Sequence, residues 1–381
     1  MAKRYLNIQV LRAVAANAIL LTHISSIEQK YGTGVQILPD AVLLGTSGVD
    51  LFFMVSGFII ATVARDLPWR LFVIDRVTRI YPPYWFYTTL ILPLFILYPA
   101  AMNSSYSVAP SLWRSYLLLP DVTHPLLSVG WTLIHEMYFY AAFACILAFR
   151  IRIDRAMLVW AGVIVIGYTA LWDRIDEHQN IEIFLLLHPL TLEFIAGVLI
   201  GSLVRSGNVR YGRTAIATGV AWSAALVVFT PDLHALCFNF DLTHIATIGP
   251  AMALIVYGCA ARDVSAASRM PAWAVRIGDG SYSIYLCHIL VISAIGRIFV
   301  RLPTPDWLAP GILETGLVVA CVIGPNIAGL INHRFLEKPA LRFSRRLFQT
   351  RPAPAVQTGA DLPAAREADD ARIARAAATR T

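Results

Sequence analysis

The chain has 381 residues, of which 57% are hydrophobic and 14% are charged, and 31 Lys and Arg against 24 Asp and Glu give a formal charge of +7. Soluble globular domains carry about 25% charged residues, so this composition excludes an ordinary soluble domain and predicts an all-α integral membrane protein. In a membrane protein, the distribution of Lys and Arg reports first which loops face the cytoplasm. We therefore expect no nucleic-acid partner.

Ten apolar stretches are each long enough to cross a membrane as a helix, which takes about 20 residues. We predict spans one to ten at approximately 7–27, 43–64, 80–98, 130–149, 156–172, 182–204, 214–230, 244–261, 281–300 and 310–332. They form one transmembrane domain over residues 1–348. Residues 349–381 are rich in Ala, Pro and Arg and contain no aromatic residue, which is typical of disorder. We predict a disordered cytoplasmic tail there.

Basic residues alternate from loop to loop along these ten spans. Lys and Arg cluster before span one and after spans two, four, six, eight and ten, whereas each of the other loops carries at most one. Because cytoplasmic loops carry the excess of Lys and Arg, both termini are predicted to be cytoplasmic.

Span one carries two ionisable residues, Arg12 and His23. Eleven residues correspond to about 1100° of helix, roughly 20° beyond three turns, so both lie on one face about 16 Å apart along the axis. An ionisable side chain in a membrane costs at least ~2.5 kcal/mol, so the pair points to a polar cavity. Histidine can accept a proton from a hydroxyl at neutral pH. The alternatives are a histidine bonded to a backbone carbonyl and an arginine that reaches the inner surface.

Two carboxylates lie near the predicted outer ends of spans two and four. Asp50 is expected to orient His23 if spans one and two pack together. Glu136 follows Trp131 and can accept a proton or a hydrogen bond from a sugar hydroxyl, or be a structural glutamate in a salt bridge. The pair Ser56-Gly57 favours close approach of helices.

Arg76 and Arg79 precede span three at its cytoplasmic mouth and are neighbours on a helix face. Two guanidinium groups suit a phosphate-bearing ligand, or alternatively lipid headgroups. Other buried polar residues are more often structural than catalytic: His188, Glu193, His288 and Glu314. The sequence has no Walker loop, HExxH or G-x-S-x-G motif, and we expect no bound metal or cofactor.

Six motifs in order resemble acyltransferase family 3, the membrane sugar O-acyltransferases, and most closely its members that acetylate exopolysaccharides and Nod factors. The resemblance covers about residues 5–346. The motifs are Arg12-x10-His23, Gly48-Val49-Asp50-Leu51-Phe52-Phe53 with Ser56-Gly57-Phe58, Arg76-x-x-Arg79 with Ile80-Tyr81-Pro82-Pro83-Tyr84-Trp85, Trp131-Thr132-Leu133 with Glu136 and Phe139-Tyr140, Tyr282-Ser283-Ile284-Tyr285-Leu286 with His288, and Glu337-Lys338-Pro339. Two departures are Cys287, where relatives often carry tryptophan, and Ile134-His135, where serine-valine is more usual.

The resemblance implies a multi-pass enzyme of the bacterial cytoplasmic (inner) membrane that takes an acyl group, most often acetyl, from cytoplasmic acyl-CoA as co-substrate. The acceptor is a hydroxyl of an exopolysaccharide, another surface glycan or its lipid-linked precursor. Under this hypothesis Arg12, Arg76 and Arg79 bind the donor and Trp131 binds the acceptor. His23 is the general base or a transient acyl carrier, with Glu136 and Asp50 orienting it or the acceptor. The alternative is a transporter or flippase of a lipid-linked or anionic glycan.

Overall fold

The computed structural model describes residues 5–65, 67–98, 109–171, 174, 180–265, 269–303 and 307–347. This part of the chain is helical and contains no β-strand. Ten helices in it are long and apolar enough to cross a membrane, which confirms the predicted all-α fold: Leu6–Tyr31, Asp40–Val63, Trp69–Leu97, Gly130–Ala148, Ile153–Leu171, Ile181–Arg205, Gly212–Phe229, Leu242–Ser265, Ser281–Phe299 and Pro310–Phe343. We number these spans one to ten. The predicted tail lies outside the described residues.

Two spans combine more than one helical geometry, and a third is interrupted. Span two begins as a 3₁₀ helix, Asp40–Ser47, continues as an α-helix, Gly48–Ile59, and ends in a π-helical turn, Ile60–Ala64. Span six is interrupted at Pro189 and consists of the helices Ile181–Leu187 and Thr191–Arg205. Span ten runs through Pro310–Asn332, a π-helical turn at His333–Glu337 and the helix Lys338–Leu347. Short helices occupy Leu112–Leu117, Leu233–Phe238 and Ala272–Asp279.

Span three begins at Trp69, about three turns before the predicted start at residue 80. The predicted start was too late: Arg76 and Arg79, expected to precede the span as neighbours on a helix face, lie within its helix. The charged residues of this segment lower its apolar character without interrupting the helix. Pro82 and Pro83 also lie inside it, as membrane helices allow when neighbouring groups satisfy the freed backbone.

Span one is the central helix of the bundle and contacts spans two, eight, nine and ten. Its first turn is held by Asp263 of span eight, which accepts hydrogen bonds from the backbone N–H groups of Asn7 at 3.0 Å and Ile8 at 3.1 Å. The first N–H groups of a helix have no partner within it, and a carboxylate there also complements the helix dipole. Asp263 therefore fixes the height at which span one presents Arg12 and His23.

Span two packs against span six through glycines. A Cβ atom on Gly57 would collide with the carbonyl oxygen of Phe194, and one on Gly197 would collide with that of Met54. The two backbones approach this closely only because neither glycine has a side chain. The predicted packing role is confirmed for Gly57.

Candidate functional site

Three arginines and one glutamate meet in a narrow cavity between spans one to four and span nine. This arginine cavity has a volume of about 70 Å³. Its polar lining consists of Arg12, Ser56, Arg76, Arg79, Thr132, Glu136, Tyr140, Tyr282 and Tyr285. The structure thus brings together all three arginines that the sequence predicted to bind the donor.

Two of these arginines are buried. Arg76 forms an ion pair with the adjacent Asp75 and lies 5.7 Å from the ring centre of Tyr140, while its Nε is buried with no hydrogen-bond partner among the described residues. Arg12 donates from Nη1 to Oε1 of Gln9 at 3.3 Å. It also lies within electrostatic range of Arg79, which repels it. An anionic ligand would relieve this repulsion.

Glu136 is held at the wall of the arginine cavity. Its Oε1 accepts hydrogen bonds from Ser56 Oγ at 3.1 Å and from the Tyr140 hydroxyl. The expected place of Glu136 at outer depth, near His23, is therefore corrected: it shares a cavity with the arginines. The reason is helical rise, because Glu136 is five residues after Trp131 and so lies about 7.5 Å further along span four. Ser56 was expected mainly to allow packing, but it also holds this carboxylate.

His23 and Trp131 line a second, larger cavity of about 710 Å³. We call it the histidine cavity because four of the histidines in the chain border it: His23, His124, His135 and His188. Its volume lies in the range of roughly 300–1,000 Å³ that small-molecule sites occupy. Among the described residues that line it there is no Lys or Arg, so its polar groups suit hydroxyls better than a strongly anionic ligand.

Aromatic rings form one wall of the histidine cavity. The Trp131 ring centre is 5.7 Å from that of His135 and 5.4 Å from that of Phe240. The rings of His135 and His188 are 4.5 Å apart. No role was predicted for His135 from the sequence, and His188 was expected to be structural rather than catalytic. Their signal was spacing, since His135 is four residues after Trp131 and so falls on the same helix face.

Asp50 does not meet His23 as predicted. It is fully buried and accepts a hydrogen bond at 2.9 Å from Nε2 of His244 in span eight. Asp50 lines neither cavity, whereas its neighbour Val49 lines both. Successive residues of a helix point about 100° apart, so the direction that places Val49 at the cavities turns Asp50 toward span eight.

The two cavities are separated by a single layer of side chains. Val49 and Tyr285 line both of them. The Tyr285 hydroxyl bridges to span four, where it lies 2.8 Å from Oγ1 of Thr132 and donates to the carbonyl of Val129 at 3.1 Å. A group bound in one cavity is therefore close to a group bound in the other.

Spans one and four show the same order of the two cavities along the bundle. Arg12 is six residues after the start of span one, about 9 Å along it, and His23 is about 16 Å further. Span four runs in the opposite direction, and in it Trp131 precedes Glu136. The arginine cavity consequently lies toward the end of the bundle at which span one begins.

Comparison with known proteins agrees with this arrangement. A family model described as an acyltransferase domain, acyltransferase 3, matches residues 5–327. The exopolysaccharide production protein ExoZ of Rhizobium meliloti (strain 1021) is 30% identical over 311 residues, which are 79% of this chain and 91% of that protein. The acyltransferase MdmB of Streptomyces mycarofaciens is 26% identical over 394 aligned positions, 92% of this chain and 96% of that protein.

No solved structure matches the chain at a significant level. The family match, however, extends from before span one into span ten and includes every residue that lines the two cavities. The chain therefore belongs to the acyltransferase 3 family and is a multi-pass membrane O-acyltransferase.

Proposed function

We propose that this enzyme moves an acyl group, with acetyl as the first candidate, from cytoplasmic acyl-CoA to a hydroxyl of an exopolysaccharide, another surface glycan or its lipid-linked precursor. The bacterial cytoplasmic membrane is its proposed location. The observation that carries the proposal is the pair of unlike cavities, one cationic and one rich in histidine and aromatic rings, that meet at Val49 and Tyr285.

The donor side of the proposal rests on charge and position. Arg12, Arg76 and Arg79 give the arginine cavity an excess of positive charge over Glu136, and guanidinium groups bind phosphates in a bidentate way. The cavity is too small for a whole coenzyme, so the arginines hold phosphates at its entrance while the acyl thioester enters. The alternation of basic loops supports a cytoplasmic position for this end of the bundle.

The acceptor side rests on the lining of the histidine cavity and on one relative. Sugars stack on aromatic rings through their apolar faces and exchange hydrogen bonds with imidazoles. Trp131 and Phe240 offer the rings, and His23, His135 and His188 offer the imidazoles. ExoZ, the relative with 30% identity, is named an exopolysaccharide production protein, which supports a glycan as the acceptor class.

The proposed chemistry requires the acyl thioester to pass from the arginine cavity, through the layer at Val49 and Tyr285, to His23 in the histidine cavity. The acceptor hydroxyl gives its proton to His23, its oxygen bonds to the thioester carbonyl carbon, and the carbon–sulfur bond breaks. The thiolate leaves with the bonding electron pair and takes the proton from His23, which yields the acyl ester and free CoA. General base catalysis of this kind contributes about 10²–10⁴-fold. Glu136, held by Ser56 and Tyr140, lines the arginine cavity beside the proposed donor.

The test uses purified protein in lipid, radiolabelled acetyl-CoA and crude lipid-linked glycan, and it compares wild type with His23→Ala. We expect CoA release and labelled glycan from wild type, and a loss of at least ~10²-fold in His23→Ala with the fold intact. Label retained on wild-type protein but absent from the variant would indicate an acyl-histidine intermediate. Unchanged turnover in His23→Ala would move the catalytic centre to Glu136. No turnover with any acyl-CoA, together with glycan movement across the bilayer, would support a flippase instead.

A further inference from the structure

His288 of span nine lies directly behind His23. The two ring centres are 5.1 Å apart, with the ring planes tilted by 40°. His23 lines the histidine cavity, whereas His288 is 1% exposed and lines neither cavity. The contact therefore joins a residue that can reach substrate to one that cannot.

The hydrogen bonding of His288 fixes its tautomer. Its Nδ1 lies 2.5 Å from the carbonyl oxygen of Tyr285. A carbonyl oxygen can only accept, so Nδ1 carries the hydrogen. In the neutral imidazole the other nitrogen, Nε2, then holds a lone pair and is an acceptor.

That acceptor is unused in the structure. Nε2 of His288 is buried and has no hydrogen-bond partner among the described residues. A buried polar atom without a partner costs about 1–3 kcal/mol, and such atoms are usually retained for a reason. The neighbouring ring that can supply an N–H is His23, which is also the ring that must change its protonation during acyl transfer.

We infer that His288 is the positioning residue of His23, accepting an N–H of His23 at its Nε2 so that the other nitrogen of His23 faces the histidine cavity with a free lone pair. Asp50 had been expected in this role, but it is bonded to His244. The inference rests on the proposed function, since it assigns His23 the task of accepting the hydroxyl proton. The imidazolium that results keeps its hydrogen bond to His288, and His288 keeps its bond to the Tyr285 carbonyl.

Three substitutions separate positioning from structure. His288→Leu removes both nitrogens. His288→Asn keeps a donor at the place of Nδ1 for the Tyr285 carbonyl but offers no acceptor as far out as Nε2. His288→Gln places an amide oxygen near the position of Nε2. We expect kcat to fall about tenfold or more in the Leu and Asn variants, as for the loss of one hydrogen bond, while KM for acetyl-CoA stays unchanged and Gln recovers part of kcat.

A second readout does not depend on turnover. Diethylpyrocarbonate modifies the free lone pair of an imidazole, and peptide mass spectrometry gives its rate at each histidine. We expect the rate at His23 to fall several-fold in His288→Leu and His288→Asn and to recover in His288→Gln. His234, which is exposed on a short helix outside the spans, is the internal control and should react equally in every variant.

The outcomes distinguish this inference from the proposed function. Suppose that the wild type is active, that His23→Ala loses turnover, and that His288→Leu and His288→Asn keep it within twofold of wild type. This result would overturn the role of His288 and leave the proposed function standing. A kcat in the Asn variant equal to or above that in the Gln variant would overturn it as well, because an acceptor near the position of Nε2 would then give no advantage. If the wild type turns over no acyl-CoA, the proposed function fails. Independently of turnover, an unchanged modification rate at His23 in all three variants would overturn the hydrogen bond between His23 and His288.

Discussion

Arg79 is the arginine of the arginine cavity that is only half-buried, and it forms no ion pair with an acidic side chain among the described residues. We expect Arg79→Gln to raise KM for acetyl-CoA about tenfold or more, because a hydrogen bond to a charged group contributes about 1.5–3 kcal/mol. kcat at saturating donor should change little. Steady-state kinetics with acetyl-CoA as the varied substrate measures both.

The matched control is Arg65→Gln. Arg65 also lies toward the end of the bundle at which span one begins, but it forms its ion pair with Asp154 at 3.5 Å and lines neither cavity. An equal rise in KM in both variants would show that general positive charge, and not the cavity, attracts the donor.

Asp50 was expected to orient the candidate base His23, but it pairs with His244 instead. Its bond to His244 is fully buried, and removing one partner of a buried charged pair costs about 3–5 kcal/mol. We therefore expect Asp50→Leu to lower the thermal stability strongly. His244→Leu should do the same, since each leaves its partner unpaired. The double variant should be more stable than either single one.

The measurement is thermal unfolding in detergent, combined with turnover per folded molecule. Asp50→Asn, which can still accept from His244, should retain most of its turnover. Loss of turnover in a well-folded Asp50→Asn protein would restore the catalytic assignment that the sequence suggested.

The sequence allowed some of the residues that line the two cavities to be predicted, but not the partner of Asp50. Arg12, Arg76, Arg79, His23 and Trp131 were expected in donor or acceptor sites because ionisable and aromatic residues in membrane helices seldom lie at random, and all five line a cavity. Their roles remain predictions. The partner of Asp50 was not predictable, because the pairing with His244 joins spans two and eight and depends on how two helices rotate against each other.

At the scale of the helices, the contact between spans two and six sets the position of Ser56 and thus of Glu136. We expect Gly57→Ala to destabilise the protein by about 1–3 kcal/mol, as overpacking of a filled interior does, because the added Cβ meets the Phe194 carbonyl. Turnover should fall as well, since span two can relieve the clash only by moving Ser56. Gly162→Ala is the control, because a Cβ there has open space around it. Equal effects of both substitutions on unfolding temperature would contradict this packing account.

Apolar length located the ten helices but not their internal breaks. Span three begins earlier than predicted because its charged first turns are helical, with Arg76 and Arg79 lining the arginine cavity. Span six is interrupted at Pro189, and spans two and ten contain π-helical turns. The turn in span ten carries Glu337, which bonds Ser283 of span nine at 2.6 Å and His333 of the same turn at 2.9 Å. Hydropathy cannot report a contact between two spans such as the first of these. Irregular turns of this kind are often found at functional sites.

At the scale of the whole molecule, the positions of the two cavities are compatible with a reaction whose substrates arrive from opposite sides of the membrane. The arginine cavity lies toward the start of span one and the histidine cavity about 16 Å further along that helix. If the termini are cytoplasmic, as the basic loops predict, acyl-CoA needs to be present only on the side of the termini. A charged coenzyme does not cross a lipid bilayer by itself, so sidedness can be measured directly.

The experiment places the protein in sealed vesicles, with a protease-cleavable tag appended after Thr381 to report which side the C-terminus occupies. We expect glycan labelling when radiolabelled acetyl-CoA is supplied on the side of the tag, and none when it is supplied only on the opposite side. Detergent permeabilisation should restore labelling in the second case, which controls for inactive protein. Labelling from the side opposite to the tag alone would mean that the donor enters through the histidine cavity, and the two cavities would then have to exchange their assigned ligands.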